Sequence, residues 1–159
     1  MRKAVFPLAF FLLAGCASHA ELKPGARLAE VDRVMGAPSE RVAGPGGETR
    51  LYYPRGRQTY VASIGADGVL RSFEPRLNYD SIKKLVPNAT SAKQVRELLG
   101  PPPRTARMPR QQRDVWEYPW QNYEELRILW VQFSYDGMLR EVIEQRDEAA
   151  YPQGGPGKD

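Results

Sequence analysis

"GARLAEVDRVMGAPSERV" (residues 25–42) and "ATSAKQVRELLGPPPRTA" (residues 89–106) are two versions of one pattern, and that likeness decides how the chain is divided. Val31 and Val95, Met35 and Leu99, Gly36 and Gly100, and Pro38 and Pro102 stand 64 positions apart. Further on, "LYYP" (51–54) and "WEYP" (116–119) are 65 apart, and "ADGVLRSF" (66–73) and "YDGMLREV" (135–142) are 69 apart. The order is kept and the offset grows only between motifs, as a duplication with loop insertions requires.

Each copy carries its own local instructions. Leu28, Val31, Val34 and Met35 follow helical spacing, as do Val95, Leu98 and Leu99. Ser91 with Gln94 makes a capping-box start. Gly36 and Gly100 mark helix ends that the following prolines keep from continuing. A Gly-, Pro- and Arg-rich loop is expected next. Strand-like runs follow: "TRLYY", "QTYVASI" and "VLRSFE" in the first copy, "DVWEY", "LRILWVQFSY" and "MLREVIE" in the second. Asp67-Gly68 and Asp136-Gly137 predict tight hairpin turns.

The expected fold class is therefore α+β: two tandem units, each a helix (or two short helices) followed by a three-stranded antiparallel meander. An added short helix is expected near 80–85, with Asn78 or Asp80 as its cap. "LRILWVQFSY" has no polar face: Leu126, Ile128 and Trp130 point one way, and Leu129, Val131 and Phe133 the other. Such a strand needs cover on both sides. Helices supply one cover; the sister unit, a partner or lipid must supply the other.

The chain start poses a separate question. Arg2 and Lys3 precede an apolar run from Ala4 to Leu13, broken by Pro7, and then Ala14, Gly15 and Cys16, the one cysteine in 159 residues. Ten helical residues rise about 15 Å, half of a bilayer core of about 30 Å. The run is too short to span and has the make-up of a removed export signal. Leu13-Ala14-Gly15-Cys16 resembles the bacterial lipobox, which implies cleavage before Cys16 and acylation of its thiol and new amino end. Ala17, rather than Asp, resembles the outer-membrane-sorted class. Two or more acyl chains hold a protein stably on a membrane. Without lipid, Cys16 would be an incidental residue of an ordinary cleaved signal.

The expected divisions are a signal peptide (1–15), a lipidated tether (16–24), a first unit (25–76), a second unit (77–147) and a disordered tail (148–159). The formal charge of +4 falls to +2 once Arg2 and Lys3 leave, too weak a balance to argue for nucleic acid. Gly and Pro, 14 each, make up about 18% of the chain against a usual 12% or so, which fits many turns between short elements.

The spacing of Val31, Met35-Gly36, Pro38, Tyr52-Tyr53 and Asp67-Gly68 resembles the SmpA/OmlA (BamE-like) outer-membrane lipoprotein domain. So does that of Val95, Leu99-Gly100, Pro102, Trp116, Tyr118 and Asp136-Gly137. That resemblance implies a lipid-anchored scaffold on the periplasmic face of the cell outer membrane, serving barrel-protein assembly or envelope integrity. Its implied partner is the β-barrel assembly machinery. The tandem arrangement also resembles the β-lactamase inhibitor protein fold, which implies the alternative: a tethered inhibitor or sensor gripping an envelope enzyme through a concave sheet.

Catalytic chemistry is not expected. The one histidine, His19, lies three residues from Cys16. Glu124-Glu125 and Asp147-Glu148 read as a solvated loop and a solvated strand end, not as a carboxylate pair across a cleft. "GPGGE" (44–48) precedes a strand and reads as a turn. No cofactor and no metal site is expected.

The candidate contacts are aromatic and basic. Trp116, Trp130 and Phe133 are expected in the core, while Trp120 and Tyr123, flanking the loop "PWQNYEE", are expected to meet a partner or the membrane interface. Arg104, Arg107, Arg110 and Arg113 are expected in one loop, able to bind carboxylates or anionic phospholipid.

Overall fold

A computed structural model describes residues 19–151. The expected signal segment, Cys16 and residues 152–159 lie outside the described residues.

Strand outweighs helix, and the strands form two four-stranded antiparallel sheets. The first half runs α1 (Leu28–Met35), β1 (Glu40–Ala43), β2 (Thr49–Arg55), β3 (Gln58–Ile64) and β4 (Leu70–Pro75), with sheet order β1-β2-β3-β4. The second runs α2 (Tyr79–Ile82), α3 (Ala92–Leu99), β5 (Arg104–Met108), β6 (Arg113–Asn122), β7 (Glu125–Ser134) and β8 (Leu139–Arg146), with order β5-β6-β7-β8. The expectation of three-stranded meanders is overturned. The stretch after each helix is an edge strand, not a loop: Arg41 pairs with Leu51, and Ala106 with Val115. Edge strands are short, charged and exposed, so they carry no apolar alternation to betray them. All five residues of β5 are exposed.

The two sheets repeat each other in register. Arg27 bridges Val69 and Ser91 bridges Met138, pairs offset by 64 and 69 positions. The ladder slips between Ser63 and Ile64, and again between Gln132 and Phe133. Ser91 accepts from the Gln94 amide at 3.3 Å while Gln94 accepts from the Ser91 amide at 2.8 Å, so α3 opens with both halves of a capping box. Asn78 caps α2, its side chain accepting from the Ser81 amide at 2.9 Å.

Each sheet buries one face against helices. α1 covers Leu51, Tyr53, Ala62, Ile64 and Leu70 through Val31 and Met35. In the second half Val95, Leu99, Ile82 and Leu85 cover Tyr118, Trp120, Leu129, Val131, Phe133 and Leu139. The first sheet's other face is buried too: Tyr52, Thr59, Val61 and Ser63 all lie below a tenth exposed. The second unit's α3 meets that face. Arg96 pairs with Glu40 at 2.7 Å, and Gly100 sits so close that an added Cβ would lie 2.7 Å from Thr59 Cγ2. α3 is thus shared, one side on the second sheet and the other on the first.

The ends of the expected tether and tail are folded where they are described. His19–Glu21 makes a 3-10 turn, the His19 ring lies 4.9 Å from the Tyr60 ring, and Leu22 joins the first core. Glu148–Ala150 forms another turn, after which the Tyr151 hydroxyl accepts from the Leu126 amide at 2.9 Å.

Candidate functional site: the open face of the second sheet

Burial alternates along β7 and scarcely does along β3. Leu129, Val131 and Phe133 are buried, whereas Leu126, Ile128, Trp130 and Gln132 between them are only half-buried. In β3 the run from Val61 to Ile64 is buried without a break. The first sheet therefore has cover on both faces and the second on one. Among the described residues, no helix packs on the second sheet's outer face.

The register shows what that face presents. Arg104, Glu117, Trp130 and Ile143 form one row across the four strands. Pro119, Ile128 and Gln145 form the next, and Ala106, Val115, Gln132 and Glu141 the row on the other side. Val115, Pro119, Ile128, Trp130 and Ile143 make an apolar patch, crossed by the Arg104–Glu117 pair and bordered by Gln132, Glu141 and Gln145. The Trp130 indole Nε1 donates to Glu117 Oε2 at 3.1 Å, and Arg104 reaches Glu117 Oε1 at 2.8 Å. That chain fixes the indole on the sheet with its polar end satisfied and its rings turned to the surface. Rigid, half-buried aromatic area with a paired polar handle is what a protein contact uses best.

Several expected positions move. Trp120 is 1% exposed and sits in the core under α2 and α3, not at the surface. It falls on the same sheet face as Tyr118, opposite Arg127, so strand parity turns it inward. Trp130 moves the other way, from expected core to the open face. Trp116 and Phe133 do pack on the core side, their rings 4.6 Å apart. Tyr123 stays at the surface, 92% exposed at the tip of the β6–β7 hairpin, with a positive φ of 52°.

The four arginines do not share a loop. Arg104 and Arg107 lie on β5, three apart and so on opposite faces; Arg110 is in the following turn, and Arg113 opens β6. Arg107 pairs with Asp114 at 2.8 Å and stacks over Tyr135. Arg104 and, by strand parity with Val115 and Glu117, Arg113 lie on the open face, whereas Arg107 lies on the other. Arg104 is already held by Glu117, and the group has no common focus for one phosphate or carboxylate.

The carboxylate pairs are placed as well. Glu125 is tied to Arg127 at 2.6 Å on the exposed hairpin. Asp147 is not solvated: it is 6% exposed and held by Arg57 at 2.5 Å. Sequence reasoning did not single out Ile143, Val115 or Pro119. The missing polar face of "LRILWVQFSY" was the available signal.

The protein is thus a tandem-sheet molecule with a shared helix and one apolar sheet face left open. No protein-family model and no curated protein matches the chain, so the SmpA/OmlA resemblance rests on the quoted motifs alone. Two solved structures are similar to it. One is a DUF4309-family protein from Bacillus subtilis, 16% identical, covering 75% of this chain and 77% of that one, with a TM-score of 0.33. The other is a candidate beta-lactamase inhibitor protein from Streptococcus mutans, 13% identical, covering 76% and 83%, also at 0.33.

Proposed function

We propose that this chain is a lipid-anchored, non-enzymatic recognition protein of the cell envelope that takes a protein partner on the open face of its second sheet. One observation carries the reading. Leu126, Ile128, Trp130 and Ile143 are half-buried on a face with no cover among the described residues, while the matching face of the first sheet is closed by α3. An apolar sheet face loses roughly 25 cal/mol for each Å² left in water instead of buried. A partner's surface removes that loss.

The anchor is the acylated Cys16, holding the body on the periplasmic face of the outer membrane, as the lipobox-like "LAGC" and the following Ala17 suggest. A tethered inhibitor or sensor of an envelope enzyme fits this geometry better than a barrel-assembly scaffold. The former needs a sheet face. The surface expected for the latter, Trp120 and Tyr123 with an arginine loop, is dispersed: Trp120 is buried, Tyr123 stays exposed at the hairpin tip, and the arginines diverge.

Crosslinking in intact cells, followed by mass spectrometry, tests both halves. Cys16→Ser should abolish palmitate labelling and membrane retention; retention of both would remove the anchor. An envelope enzyme should crosslink to the native chain and be lost in Ile128→Glu, which places a charge on the open face. Recovery of barrel-assembly components, lost in the same variant, would favour the scaffold. Crosslinks indifferent to Ile128→Glu would refute the binding face.

A further inference from the structure

We infer that one end of the molecule, built around His19, Tyr60 and Tyr123, lies directly on the phospholipid–water interface. The body rests on the bilayer and does not swing on a tether. The inference depends on acylation of Cys16.

The argument starts where the described chain begins. Cys16 and His19 are three positions apart, a span of at most about 10 Å. His19 is not loose: its ring lies 4.9 Å from Tyr60, which stacks on Phe73 at 5.4 Å. From there the segment runs along the sheet, burying Leu22, until the Gly25 amide donates to the Leu70 carbonyl at 2.9 Å. Lipid on Cys16 must therefore enter the membrane beside Tyr60, near the β2–β3 turn.

The same end carries two of the three tyrosines that are more than half exposed among the described residues, Tyr79 and Tyr123; the third, Tyr135, lies at the far end of β7. Arg55, Arg57, Gln58 and Tyr60 share a shallow cleft with Gln121 and Tyr123, so the tips of the β2–β3 and β6–β7 hairpins are neighbours. Arg57 crosses between them, donating to the Arg127 carbonyl at 3.2 Å and pairing with Asp147. Tyr123 is 92% exposed at the second tip. Gln58 holds the Leu77 backbone at 2.7 and 3.0 Å, and two residues on Tyr79 is 64% exposed. Tyrosine has an apolar body and a wet tip, which suits the headgroup level of a bilayer. The cations here are largely matched: Arg57 with Asp147, Arg127 with Glu125, Arg146 with Glu148. The contact is aromatic and needs no strongly anionic membrane.

In this pose the open face of the second sheet stands to the side of the membrane. Tyr135, at the other end of β7, stands about 33 Å above it, since ten strand residues rise about 3.3 Å each.

Cys16 is the sole cysteine, and as a thioether it would not react with a thiol label, so one fluorophore can be placed at will. The full lipidated chain, as Tyr123→Cys or as Tyr135→Cys, is labelled and inserted in phosphatidylcholine vesicles carrying a headgroup nitroxide. Quenching at least threefold greater at 123 than at 135 is expected. Glu124→Cys serves if Tyr123→Cys melts early, with the same ratio expected. Equal quenching at the two ends, or more at 135, overturns the pose while leaving the anchor intact. Mass spectrometry of the same sample separates the two failures: an unmodified Cys16 refutes the anchor and the pose with it.

Discussion

The Tyr118 hydroxyl donates to the Gly100 carbonyl at 3.0 Å, fastening the end of α3 to the middle of the second sheet. Gly100 has φ +87°, and an added Cβ would stand 2.7 Å from Thr59 Cγ2 and 3.2 Å from Tyr52 Cδ1 on the first sheet. One residue thus ends a helix, accepts from one sheet and touches the other. Its counterpart Gly36 also has a positive φ, +71°, but open space where a Cβ would go. Gly36→Val should cost the backbone strain alone, about 1–3 kcal/mol. Gly100→Val should cost that and the overlap with Thr59, so its thermal midpoint should fall further. Equal midpoints would mean that α3 does not press on the first sheet.

Tyr53 and Tyr118 are repeat equivalents with different hydroxyl environments. The Tyr53 hydroxyl is buried and has no hydrogen-bond partner among the described residues. Tyr118→Phe should lose about 1 kcal/mol at neutral pH, whereas Tyr53→Phe should be neutral or stabilising. Burial pushes the Tyr53 hydroxyl up to about 12, and Tyr118 also upward. In the unfolded chain tyrosine ionises near 10. Between those values the unfolded state has fewer bound protons, so stability falls as pH rises; it is full below about pH 10 and lost on passing about 12. Tyr53→Phe should flatten part of that alkaline fall, read from urea midpoints at pH 7 and pH 11.

These helix ends were legible because the chemistry is local. Gly36 and Gly100 followed by proline, Ser91 with Gln94, and the two Asp-Gly turns each act within four residues. The edge strands were not legible: Glu40–Ala43 and Arg104–Met108 earn their pairing from the neighbouring strand and show water a mixed, charged surface. Parity along β7 was legible, since Leu126, Ile128 and Trp130 oppose Leu129, Val131 and Phe133, but which of the two faces meets the core was not. Once Asn122 pairs with Glu125, Trp120 points to the core and Trp130 to the open face. That the first sheet borrows α3 as its second cover is tertiary, and no stretch of sequence states it.

Arg57 and Asp147 join the two halves across 90 positions, with Asp147 6% exposed. Arg57→Ala strands a buried carboxylate. Because Arg57 keeps a quarter of its side-chain exposure, the loss should be about 2–3 kcal/mol, below that of a fully buried pair. Arg57→Met with Asp147→Leu should recover most of it, since neither charge then needs solvation. A double variant as unstable as the single one would show that the pair itself, and not the stranded charge, sets the cost. Denaturant midpoints of the three variants decide it.

Trp120 and Trp130 separate stability from recognition within one hairpin. Trp120, 1% exposed beneath α2 and α3, fills the core, and Trp120→Ala should cost about 3–5 kcal/mol. Trp130 is half-buried on the open face and tied to Glu117 at 3.1 Å. Trp130→Ala should cost about 1 kcal/mol, near the centre of what single substitutions do, because no core closes over it. Its larger effect should be on partner capture, with at least a tenfold drop in crosslinked complex, since interface tryptophans carry a large share of binding energy. Melting curves and crosslinking yields on the same two variants form a crossed test. If Trp130→Ala unfolds the protein as Trp120→Ala does, or if it binds like the native chain, the face is ordinary surface and the partner docks elsewhere.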